Sequence, residues 1–201
     1  MTRLVLVAVV AFSVAAGTAR AAPTDAYTYD RQLGTIARET LWQAVSEDAR
    51  VTRRELLRVY VRCYRDEGSF ERSFERRFGR SARRVVAYYA GGGDVHLRKE
   101  TCAGVRAFFR GRHTVLTAGA YAILLHEALH RQGVTNERIT TCLANEAVRW
   151  GAQWFRFGEA KALRARNLAF TYTRLYSPPS YRMGKPNCLV LTRRNDWIDF
   201  R

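Results

Sequence analysis

Lysine is scarce in this chain: Lys99, Lys161 and Lys185 are three of 34 basic residues, leaving 31 arginines against 18 acidic residues. Genome base composition can produce such a bias, and the arginines are spread along the whole length, so the formal charge of +16 singles out no specific nucleic-acid partner. It does imply weak attraction to anionic surfaces such as acidic wall polymers. Long apolar runs are also missing after the first residues, which excludes a later transmembrane helix. The early run, Leu4 to Gly17, is short, follows Arg3 and precedes Ala19-Arg20-Ala21. That order predicts a cleaved secretory signal over residues 1–21. No cysteine pair has C-x-x-C spacing, so a cysteine zinc cluster and a dithiol redox centre drop out. Gly91-Gly92-Gly93-Asp94 likewise lacks the G-x-x-x-x-G-K-[ST] pattern of a phosphate loop.

Four cysteines are present, Cys63, Cys102, Cys142 and Cys188, even in number and widely spaced. In an exported, secreted protein they predict two disulfides, with three connectivities open. Residues 22–201 suit one compact domain, expected to be a monomer.

Local patterning predicts an α+β fold. Leu33, Ile36, Ala37, Leu41 and Ala44 are spaced for a helix over Arg31 to Val45, after a polar segment from Pro23 to Asp30. Leu57, Val59, Val61 and Cys63 alternate with polar or aromatic residues, as in a strand with one buried face. Phe70, Phe74 and Phe78 predict a short amphipathic helix between a Ser69 cap and a Gly79 stop. Arg84 to Tyr89 and Val95 to Lys99 read as two strands joined by the glycine turn, and His96 on the second carries no ligand spacing. Thr135 or Asn136 caps a helix running through Phe155, while the chain beyond Glu159 is basic and turns at Ser177-Pro178-Pro179-Ser180.

Chemistry concentrates at His126-Glu127-Ala128-Leu129-His130. Ala118 to Gln132 contains no proline, and Gly133 follows as a stop, so the segment reads as a helix. Histidines four apart then lie one turn apart on one face, which is half of a zinc site. Glu127 is placed to take a proton from a metal-activated water.

At these residues the chain resembles the zincin metallopeptidases. Val61-Arg62-Cys63, Glu100-Thr101-Cys102 and the stretch from His126 through Glu137 to Cys142 are similar to short secreted bacterial proteins with a zincin-like core. The likeness spans roughly residues 57 to 155. It implies a zinc site on a helix, a neighbouring edge strand that receives an extended peptide, and hydrolysis of peptide bonds.

A hydrolytic zinc needs a third protein ligand and one open position. Glu146, in Asn145-Glu146-Ala147, resembles the Asn-Glu of gluzincins, although Trp150 stands where those enzymes usually have aspartate. Glu137 competes by reach: in a tight hairpin turning at residues 133–136, a residue near 137 stands level with the histidines at a rise of about 1.5 Å per residue. The two glutamates are nine positions apart, about half a turn on the wheel, so one helix aims only one of them at the metal. Reach favours Glu137, with Glu146 as the alternative. The histidine–glycine spacing is also similar to metzincins, but Asn136 fills their next ligand position and Met183 gives no firm match to a methionine turn.

The sequence therefore predicts a zinc peptidase in which a small antiparallel or mixed sheet, including residues 84–99, packs on the His126–His130 helix and its partner. His126, His130 and Glu137 would hold the ion and Glu127 would be the base. Tyr172, Tyr176, Tyr181 or Arg131 would stabilise the oxyanion, no spacing choosing among them. The alternative function is a non-catalytic basic module that binds anionic surface polymers and uses zinc as a staple.

Overall fold

The computed structural model describes residues 25–45, 53–54, 56–182 and 188; the expected secretory signal lies outside them. The fold is α+β, with a mixed four-stranded sheet of order β1-β2-β4-β3. Strand β1 (Tyr27–Tyr29) is followed by α1 (Arg31–Val45), β2 (Tyr60–Tyr64), α2 (Glu67–Phe78), β3 (Ala87–Tyr89) and β4 (Asp94–Leu97). The helices α3 (Lys99–Phe109), α4 (Val115–Arg131), α5 (Glu137–Trp154) and α6 (Glu159–Tyr176) complete it, ending in a 3-10 turn at Pro179–Tyr181. Strand β2 runs parallel to β4, and β1 and β3 are antiparallel to their neighbours.

Alternation in β2 sorts its side chains to two layers. Val61 and Cys63 join a large core with α1, α3, α4, α5 and α6, whereas Tyr64 joins Phe70, Phe74 and Tyr88 under α2. The aromatic stripe of α2 is thus a core feature, with Phe78 at its exposed end. Gly91, Gly92 and Gly93 have φ of 80°, 67° and 106°, so the β3–β4 turn depends on residues without a side chain.

Several boundaries differ from the sequence reading. The segment read only as polar contains β1, whose three residues pair with β2. Asp66, not Ser69, caps α2, accepting the Ser69 N–H at 2.7 Å. Helix α4 begins at Val115 because Thr114 and Thr117 cap each other reciprocally. Helix α3 buries Cys102, Val105 and Phe108 at helical spacing, a pattern absent from the sequence reading, whereas α6 carries no strong amphipathic signal and buries only small residues and Thr173.

Helix α4 is apolar on nearly all sides and lies at the centre, packed against α3, α5, α6 and the β3 and β4 strands. Disulfides Cys63–Cys102 and Cys142–Cys188 tie β2 to α3 and α5 to the chain beyond α6. Two such bonds suit an oxidising compartment. Among the described residues no helix is long and apolar enough to cross a membrane.

Candidate metal centre

The turn between α4 and α5 builds the site. Gly133, at φ 95°, lets its N–H reach the His130 carbonyl and the Val134 N–H reach that of Leu129, closing α4 with a Schellman motif. Asn136 then caps α5, its Oδ1 accepting from the Arg138 and Ile139 N–H groups at 3.1 Å each. Reversal is complete within a few residues, so Glu137 in the first turn of α5 stands level with the last turns of α4.

Three donors converge there. Glu137 Oε2 lies 2.9 Å from His126 Nε2 and 3.4 Å from His130 Nε2, and the two histidine Nε2 atoms are 3.0 Å apart. Ligands at about 2.0–2.2 Å from a tetrahedral zinc lie about 3.3 Å from one another, so the donor spacing and the donor types fit that ion. Among the described residues these three form the group able to hold a metal.

Supporting contacts orient both rings. The His130 Nδ1–H donates to the Val134 carbonyl at 2.6 Å, leaving the Nε2 lone pair directed into the site. Thr141, one turn after Glu137, places Oγ1 3.2 Å from His126 Nδ1; a hydroxyl can accept there and free the other nitrogen for a cation. Burial lowers the His126 pKa, and in the alternative tautomer its Nε2–H donates to Glu137, which holds that carboxyl below its ordinary value.

Glu127 is 9% exposed and faces the edge strand, where it accepts the Tyr89 N–H. Burial first, then the charge of Glu137, pushes its pKa up to about 8. The Val86 carbonyl accepts from the Arg98 N–H, which turns Val86 and Tyr88 toward β4 and leaves the Ala87 backbone directed along the free edge. Beside this edge lies a cavity of about 320 Å³ running from Val86 and Ala87 past Gly119, Ala122 and Glu127 to Tyr172 and Tyr176. Its inner wall includes Asn145, whose Nδ2 donates to Thr173 Oγ1 at 3.0 Å.

Of the four oxyanion candidates, Tyr181 stands nearest the three donors. Its ring stacks on His126 with centroids 5.7 Å apart, and burial together with Glu137 and Glu127 raises its hydroxyl pKa. Tyr172 and Tyr176 line the same cavity as Tyr181, and Arg131 sits outside it, beside Tyr89. Glu146 is on the far side of α5, its Oε2 3.4 Å from Arg166 Nη1. Thr141, the Val134 carbonyl and the Tyr89 N–H were not singled out by sequence; only Thr141 carries a signal, a hydroxyl at i+4 from Glu137.

No family model, curated protein or solved structure matches the chain.

Proposed function

We propose that the protein is a secreted zinc-dependent peptidase. The observation that carries the reading is the convergence of His126, His130 and Glu137 beside Glu127, a buried carboxyl that is not one of the three donors and faces the cleft edge. Two imidazoles and a carboxylate are the ligand set of hydrolytic zinc sites and leave a fourth position open. A zinc ion bound there would supply Lewis acidity and lower the pKa of a coordinated water.

The chain's own residues do the rest. Glu127 takes the proton of the attacking water and returns it to the departing amine, which requires a carboxyl held close to the cleft and shielded from bulk solvent. The Tyr181 hydroxyl, beside Glu137, donates to the oxygen that gains charge as the carbonyl is attacked. The free edge of β3 offers the Ala87 backbone to an extended peptide, fixing its distance from the donors, and the cavity beside Ala122 accepts one of its side chains.

A zinc staple in a non-catalytic module would be closed by a fourth protein ligand. The group formed by the described residues contains three. The test is incubation of the zinc-loaded protein with a proteome-derived peptide mixture, read by mass spectrometry before and after chelation and zinc re-addition. New termini that vanish on chelation and return with zinc support the reading; an unchanged mixture at stoichiometric zinc contradicts it.

A further inference from the structure

Arg131 lies four residues after Glu127 on the same face of α4, about 6 Å further along the axis, at the end of the cleft opposite the apolar cavity. Its Nε donates to the Arg58 carbonyl at 3.3 Å and its Nη1 approaches the Tyr89 hydroxyl at 3.5 Å. Gly93 makes room for it: a Cβ there would come within 3.4 Å of the guanidinium carbon and Nη2. Arg62, Arg98, Arg106 and Arg166 each have a carboxylate within ion-pair distance. Among the described residues Arg131 has none, although it is partly shielded and hydrogen-bonded only to neutral oxygens. A positioned guanidinium without a carboxylate, in a chain of formal charge +16, suits an anionic group on an incoming ligand.

Resting on the peptidase reading, we propose that the substrate class is an acidic peptide whose carboxylate side chain is read by Arg131 and whose bulky apolar side chain enters the cavity between α4 and α6. Antiparallel addition to β3 runs the peptide from the Tyr89 end toward the Val86 end. Arg131 is then on the acyl side of the scissile bond and the cavity on the amine side. At about 3.3 Å per residue of extended chain, the 6 Å step from Glu127 to Arg131 corresponds to roughly two residues. The sequence recognised is therefore an acidic residue, any residue, then a large apolar one. Gly119 sets the width of the apolar end, because a Cβ at that position would overlap the Tyr172 ring at 2.1–2.7 Å. Arg84, at the mouth of the cavity, is the rival source of charge recognition.

The test measures binding to zinc-loaded Glu127→Gln protein, which prevents turnover, using fluorescent ten-residue peptides of alanine and serine. They carry Glu-Ala-Phe, Gln-Ala-Phe, Lys-Ala-Phe or Phe-Ala-Glu at the centre. Glu-Ala-Phe is expected to bind about five- to tenfold more tightly than Gln-Ala-Phe at low salt, with the gap closing at high salt. Adding Arg131→Gln abolishes the gap, and Arg131→Glu transfers the preference to Lys-Ala-Phe, an inversion that a purely structural arginine would not produce. Equal binding of the Glu and Gln peptides, a gap that survives Arg131→Gln, or tighter binding of Phe-Ala-Glu overturns the proposal. The Glu, Gln and salt comparisons need no change at Arg131 and decide the matter even if its variants fold poorly. Failure of all four peptides to bind a chain carrying one zinc overturns the peptidase reading itself.

Discussion

The Nδ1–H of His130 donates to the carbonyl of Val134 at 2.6 Å, so the turn that reverses the chain also orients a ring of the candidate metal centre. The same few residues set the level at which Glu137 meets His126. Turn geometry and donor geometry are therefore one feature of this fold, and damage to one should appear in the other.

Gly133 holds φ at 95°, where a side chain is strained. Gly133→Ala is expected to lower stability by about 1–2 kcal/mol and also to weaken zinc binding about tenfold or more. Gly111, at φ 90° after α3, has open space around it and is far in sequence from the donors. Gly111→Ala should cost similar stability in denaturant titration and leave competitive zinc titration unchanged.

Glu137 and Glu146 separate cleanly by consequence. Glu137→Gln should weaken zinc binding by more than the ~10–100-fold that loss of a supporting contact costs. Glu146→Gln should leave zinc affinity at the wild-type value and destabilise the fold by roughly 3 kcal/mol, because Arg166 keeps its charge in a mostly buried setting. Parallel zinc titration and urea unfolding of the two variants check both halves.

Thr141→Val keeps the volume near His126 but removes the hydroxyl beside Nδ1. Zinc affinity is expected to fall about 10–100-fold, with Thr141→Ser restoring most of it. Equal affinity in wild type and Thr141→Val would show that the hydroxyl does not support the ring.

The helix with both histidines, its glycine stop and its antiparallel partner are legible in the sequence because each rests on local rules: periodicity, capping and the rise per residue. Glu137 follows from the same arithmetic. Thr141 follows only in part: its i+4 spacing puts it on the face of Glu137, but its value comes from facing His126 across a helix pair, and the Tyr89 N–H has no side-chain signature at all. Helix α6 is hidden because its buried positions include Ala162, Ala165 and Ala169, too small to mark an apolar stripe. β1 escapes notice because three residues with one intermediate and two exposed positions give no alternation.

His96 supplies a pH signature away from the metal centre. It stacks between Tyr88 and Tyr64, its Nδ1 is 2.9 Å from the Tyr64 hydroxyl, and burial, assisted by Arg62 and Arg77 against the opposing Asp94, lowers its pKa to about 4. The unfolded chain then binds more protons than the folded one between about pH 6.5 and 4. The contribution is fully present above pH 6.5 and is lost as the pH falls through 4, on the order of 3 kcal/mol in total. Urea unfolding of wild type and His96→Gln across that range should show the slope in the first and a shallower one in the second.

The central claim is that His126, His130 and Glu137 hold a zinc ion on which Glu127 acts as the base. Zinc content and peptide turnover measured on the same samples of wild type and Glu127→Gln test it most directly. One zinc per chain in both proteins, with turnover only in the wild type, is the predicted result. A wild-type chain that binds no zinc, or a Glu127→Gln protein that hydrolyses peptides at the wild-type rate, would contradict it.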